Sequence, residues 1–102
     1  MNQRLEALKV ANEVRFAAAD VKREIRDGRL RLADALWDER ADPIVLRDLL
    51  LVQRQVGPMR VDRLLRRVEV NGFKRVGDLT ERQKSVVADL TERQRSVVAD
   101  AA

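Results

Sequence analysis

Apolar residues recur every three or four positions along the first quarter of the chain. Leu5, Leu8, Ala11, Val14, Ala18, Val21 and Ile25 read as one stripe at the helical period and predict a long first helix. Asn2 is placed to cap its start, and Gly28 supplies the permissive residue just past its end. The far face mixes Lys9, Arg15, Lys22, Arg23 and Arg26 with acidic side chains, as solvated faces do. A short helical turn is expected over 32–37, anchored by Trp37, the sole tryptophan. Asp42-Pro43 carries a cap followed by a first-turn proline, and Ile44, Val45, Leu46, Leu49, Leu50 and Val52 predict a central buried helix over 42–53.

Gly57-Pro58 interrupts the chain, and a fourth helix is expected over 59–68. At about 100° per residue, Val61, Leu64, Leu65 and Val68 share one side, with Arg60, Arg63, Arg67 and, less closely, Arg66 on the other. Asn71-Gly72 and Gly77 mark a turn-rich loop around Phe73, Lys74, Arg75 and Val76. Thr80-Glu81-Arg82-Gln83 has the spacing of a capping box and opens a last helix. No stretch alternates with period two, so the predicted fold is all-α. Three regions follow: 1–28, a long helix packing on the domain; 29–88, a compact bundle of short helices; and 89–102, a helical extension.

That extension is a repeat. Residues 78–88 (DLTERQKSVVA) recur as 89–99 (DLTERQRSVVA), with Lys84 replaced by Arg95. An eleven-residue step advances about 3.67 residues per turn, so a continuous helix keeps Val86, Val87, Val97 and Val98 nearly in phase. The first copy is expected to dock on the core, because Gly77 precedes it and Thr80 is free to cap, whereas Thr91 falls in mid-helix.

Composition narrows the chemistry. The chain has 102 residues, room for one modest core, and neither cysteine nor histidine. Disulfides, thiolate catalysis and the commonest general base and metal ligand are therefore absent. Asp38, Glu39 and Asp42 cluster around helix ends, where capping accounts for them, as it does for Asp78 and Glu81. The chain is read as a non-enzyme, with no catalytic residue, no metal site and no cofactor. No apolar run approaches the roughly 20 residues of a membrane span, and the N-terminus lacks a signal peptide's apolar stretch, so a cytoplasmic protein without a membrane partner is expected.

The net charge of +4 is unevenly placed. Residues 54–77 hold seven basic side chains (Arg54, Arg60, Arg63, Arg66, Arg67, Lys74, Arg75) against Asp62 and Glu69, a net of +5. Such confinement marks a polyanion footprint. A glycine turn into a helix start presents free backbone N–H groups to a phosphate, and Gly57 with the amides of Met59 and Arg60 supplies one. Arg63 and Arg67 continue that face. Lys74 and Arg75 precede a second helix start, with Arg82 and Lys84 in its first turn.

In order and spacing, VGPMRVDRLL (56–65) followed by VNGFKRVGDLTERQK (70–84) resembles the actinobacterial integration host factor family. Residues 7–36, with Gly28-Arg29-Leu30, are also similar to that family's long and short first helices, and the likeness covers about 5–88. It implies a nucleoid-associated protein with a helix-two-turn-helix motif that binds the backbone of double-stranded DNA. It further implies DNA bending or compaction and possible assistance to a phage integrase. By position, the DNA contacts would come from Gly57, Arg60, Lys74, Arg75, Arg82 and Lys84. Pro58 departs from the pattern, standing where the family often has a basic residue. A monomer is expected. Two other readings are open at this level: a helical protein-interaction module using the first helix, and an RNA-binding protein. Trp37 and Phe73 are read as core or loop anchors rather than stacking platforms.

Overall fold

The computed structural model describes residues 3–53 and 56–101, with side chains described for 5–53 and 56–92. The described residues are all-α. Helix α1 spans Gln3–Arg26, α2 Leu32–Ala35, α3 Leu46–Leu51, α4 Pro58–Val68 and α5 Glu81–Ala101, with 3-10 turns at Glu39–Ala41 and Val76–Asp78. No strand occurs among them, and the nearest approach to one is an isolated antiparallel bridge between Val45 and Arg75. Asn2, expected as the cap of α1, lies outside the described residues.

The end of α1 follows from one glycine. Gly28 sits at φ 79, a left-handed conformation that costs a side-chain-free residue little. There Gly28 N–H donates to the Ile25 carbonyl (3.1 Å) and Arg29 N–H to that of Glu24 (2.8 Å). These two reversed bonds satisfy the last carbonyls and turn the chain toward α2.

The core gathers the C-terminal half of α1 (Val21, Ile25), Leu32, Ala35 and Leu36 around α2, Ala41 of the 3-10 turn, and Ile44, Leu46, Leu49 and Leu50 around α3. Val61 and Leu65 of α4, Val70, Val76 and Leu79 of the loop, and Val87 and Ala88 of α5 complete it. Only part of the predicted first stripe enters this core. Ala18 packs partly against it, but Leu5, Leu8 and Val14 are exposed, so the N-terminal half of α1 does not pack on the domain. The molecule is accordingly elongated, 58 × 28 × 22 Å, with a radius of gyration of 15.0 Å. A compact chain of this length has a radius of gyration near 13 Å.

Two further expectations need correction. Trp37 is 49% exposed and does not anchor the turn; Leu36, fully buried, takes that place. The helix predicted over 42–53 is shorter at both ends, as Leu46–Leu51, with Val45 as its extended N-cap. The Asp42-Pro43 signal is overridden because the backbone of 42–46 is engaged elsewhere. The carbonyls of Asp42 and Ile44 accept from Gly77 N–H (3.1 Å) and Val76 N–H (2.8 Å), and Leu46 N–H donates to the Lys74 carbonyl (2.8 Å). Asp38, by contrast, does cap: its carboxylate accepts from Arg40 N–H at 2.9 Å and starts the 3-10 turn.

From Glu81 onward the repeat lies within α5, which continues from the first copy through the second as one helix. The first copy docks, with Val87 and Ala88 buried and Val86 turned outward. Thr91, the would-be cap of the second copy, is instead buried in mid-helix, its hydroxyl donating to the Ala88 carbonyl at 2.9 Å. The side chains of Val97 and Val98 lie outside the described residues.

Candidate nucleic-acid interface

Helix α4 displays its arginines because its apolar residues leave them no alternative. Val61, Leu64 and Leu65 are buried, which turns Arg60, Arg63, Arg66 and Arg67 outward, and all four are exposed. The helix is set on α3 by an ion pair: Arg47 Nε donates to Asp62 Oδ1 at 2.9 Å. That guanidinium, chiefly through its hydrogen bond, holds the Asp62 carboxyl below its ordinary range. Asp62 thereby ties α4 to α3, and its charge also acts on Arg66 of its own helix.

The two helix starts differ. Gly57 is the N-cap of α4 and offers no side-chain bond, Pro58 has no N–H, and the first turn holds no acidic residue. The N–H groups of Met59 and Arg60 thus lack an intrahelical partner and form the positive end of the helix dipole. Gly57 has φ −86 and open space where a Cβ would stand, so neither backbone strain nor crowding requires glycine there. The start of α5 is closed by its capping box. Gln83 N–H donates to Thr80 Oγ1 at 3.1 Å, and Thr80 N–H donates to Gln83 Oε1 at 3.0 Å. With Glu81 also in its first turn, α5 is the poorer anion site. Both starts are dressed with cations in the sequence; that of α4 has no side-chain cap and that of α5 has one.

Lys74 and Arg75 are held by their backbone. Asn71 begins the turn, its Oδ1 accepting from Phe73 N–H at 2.9 Å, and the hydrogen bonds to 42–47 fix the rest. Arg47 N–H donates to the Gly72 carbonyl at 2.9 Å. Glycine is required at Gly77, where a Cβ would lie 2.9 Å from Asp42 Cβ, whereas a Cβ on Gly72 would displace the end of the Leu65 side chain. Both side chains, Lys74 and Arg75, are exposed, as is Arg82, while Lys84 is half-buried.

Among the described residues, every ion pair uses Arg23, Arg29, Arg31, Arg40 or Arg47. None uses Arg60, Arg63, Arg66, Arg67, Lys74, Arg75, Arg82 or Lys84. These cations of the basic segment thus have no ion-pair partner among the described residues, and Lys9, Arg15, Lys22 and Arg26 of α1 have none either.

Phe73 is 78% exposed beside Lys74, and Met59 is 78% exposed beside Arg60. The loop-anchor reading of Phe73 is therefore corrected, since the aromatic ring projects from the loop instead of holding it. An open groove of about 670 Å³ runs between α3, α4 and this loop, lined by Arg47, Asp62, Arg66, Glu69 and Phe73 among others. With two carboxylates on its wall, the groove itself is not a phosphate site. Glu69 closes α4 at φ 56, ψ 40, a left-handed conformation disfavoured for any residue with a Cβ. Glu69→Gly is expected to raise stability by about 0.5–1 kcal/mol. A rise of roughly 4 °C in the thermal midpoint, followed by circular dichroism, is the corresponding readout.

No family model matches the chain, and no curated protein or solved structure matches it significantly. The resemblance to integration host factors rests on the residues quoted for it. No described helix is long and apolar enough to cross a membrane.

Proposed function

We propose that this protein binds double-stranded DNA, largely without sequence preference, by neutralising backbone phosphates with the segment from Gly57 to Lys84. The supporting observation is the concentration of cations without an ion-pair partner among the described residues on α4, the 71–77 loop and the start of α5, next to the uncapped start of α4. The amides of Met59 and Arg60 receive one phosphate. Arg60, Arg63 and Arg67 follow the strand along α4, and Lys74, Arg75, Arg82 and Lys84 provide a second cluster of contacts. Contacts of this kind position a protein on the duplex and carry little base information.

Phe73 and Met59 fit the same reading. Exposed apolar side chains beside cations are the wedges by which DNA-bending proteins unstack a base step. Bending, compaction, residence on the nucleoid and assistance to a phage integrase follow from the resemblance and belong to this proposal, as does the absence of catalysis.

The test is fluorescence anisotropy on two unrelated labelled duplexes over a series of salt concentrations. Comparable affinities are expected for both. The logarithm of affinity should fall against the logarithm of salt with a slope near −5, the value for about five or six neutralised phosphates. An RNA duplex of matched length, bound more tightly than DNA, or no binding at low salt, would refute the proposal.

A further inference from the structure

Helix α1 carries two apolar faces. At about 100° per residue, Ala11, Val14, Ala18, Val21 and Ile25 share the side whose lower end enters the core. Leu5, Leu8, Asn12, Phe16 and Ala19 form a second stripe about 140° round the helix. Leu5 and Leu8, read with the first stripe from sequence, belong to the second. Its spacing is three, four, four, three, so Leu5 and Phe16 are eleven residues apart, as are Leu8 and Ala19, and both pairs stay nearly in phase. No described residue of the domain covers it: Leu5 is 55% exposed, Leu8 54% and Phe16 69%, and Asn12 and Ala19 are exposed as well.

The flanks of this stripe differ in sign. Arg15 and Lys22 border one side, and Glu13 and Asp20 the other, with Lys9 the exception on the acidic side. Two copies of α1 packed antiparallel by a two-fold axis would set acid against acid and base against base. Packed in parallel, they set the basic flank of each against the acidic flank of the other. We propose that this face is a homodimer surface, on which a second copy of the chain packs its own α1 in parallel and in register. Leu5, Leu8, Phe16 and Ala19 meet their counterparts. Asn12 meets Asn12 midway, a polar pair of the kind that fixes register in helix pairs. Arg15 of one copy reaches Asp20 of the other, which within its own helix bonds only the exposed Arg23 at 3.3 Å. The stripe spans about 22 Å, so the contact sits at the small end of specific interfaces. Association in the range of about 10 μM to 1 mM follows. The dimer replaces the monomer expected from sequence, and it is independent of DNA binding.

The test uses the full chain in sedimentation equilibrium. A reversible monomer–dimer equilibrium is expected, weakened at least about tenfold by Phe16→Asp, with an unchanged thermal melt because Phe16 touches no core. The absence of native cysteine allows direction to be read by oxidative cross-linking. Asn12→Cys cross-links in either direction, whereas Ala19→Cys does so only in a parallel pair, and Glu39→Cys, exposed on the domain, serves as the collision control. Efficient cross-linking of the first two over the third supports the proposal. A monomer throughout, cross-linking of Asn12→Cys alone, or equal cross-linking of all three overturns it.

Discussion

The double variant Lys74→Ala, Arg75→Ala is expected to lower affinity for any duplex by about 50-fold at 0.1 M salt. It should also flatten the salt slope by nearly 2, since each phosphate released contributes about 0.9. The magnitude follows from how these side chains are held. Their backbone is fastened to 42–47 by hydrogen bonds from Val76, Leu46 and Gly77, none of which involves the side chains removed. Both side chains are exposed and neither forms an ion pair with a described residue, so the folded state loses almost nothing. A thermal midpoint within about 2 °C of the parent is therefore expected beside the large loss in binding. A proportional loss on two unrelated duplexes indicates backbone contacts. A loss confined to one duplex would show that Lys74 or Arg75 reads bases, contrary to the proposal. Unchanged affinity on both would remove the 71–77 loop from the interface.

Much of this arrangement was legible in the residues, for physical reasons that differ by element. The capping box at Thr80 and the glycine stop at Gly28 are local devices, complete within a few residues, and both form as read. Helix α4 was legible because its apolar and basic positions separate cleanly at the helical period. Non-local competition defeated the reading at Asp42-Pro43. A cap and a first-turn proline favour a helix there, but the carbonyls of Asp42 and Ile44 are taken by Gly77 and Val76, more than thirty residues away. Sequence alone cannot weigh that loss. The first stripe failed for a different reason: positions 5 and 8 satisfy the three-or-four rule stepwise, yet their accumulated angle carries them to another face. Nor could periodicity show that Phe73 and Trp37 project into solvent, since an aromatic residue in a loop is equally consistent with anchoring it. In the candidate site, the basic residues were legible as charge. The pairing of Asp62 with Arg47, which ties α4 to α3, links residues 15 apart and became visible only once α3 and α4 were packed.

The same non-local lock makes Gly77 the backbone position with the largest expected effect. Its N–H donates to the Asp42 carbonyl at 3.1 Å, and a Cβ there would lie 2.9 Å from Asp42 Cβ, 3.2 Å from Cγ and 3.3 Å from the carbonyl oxygen. Two of these atoms belong to or adjoin the backbone, so the clash cannot be relieved by swinging a flexible side-chain end. Either the 42–45 segment or the 74–77 loop must shift, and the hydrogen bonds between them weaken together. Gly77→Ala is expected to cost about 1–3 kcal/mol, a fall of roughly 10 °C in thermal midpoint. Duplex affinity should fall with it although no cation has been removed, because Lys74 and Arg75 lose their fixed positions. The source of the effect can be isolated by a double variant. Asp42→Gly deletes the Cβ and Cγ that crowd the new methyl, so Gly77→Ala added to Asp42→Gly should cost distinctly less than in the parent. Equal costs in both backgrounds would mean that Asp42 is not the obstacle. A destabilised Gly77→Ala protein that still binds DNA as tightly as the parent would show that the lock serves the fold and not the interface.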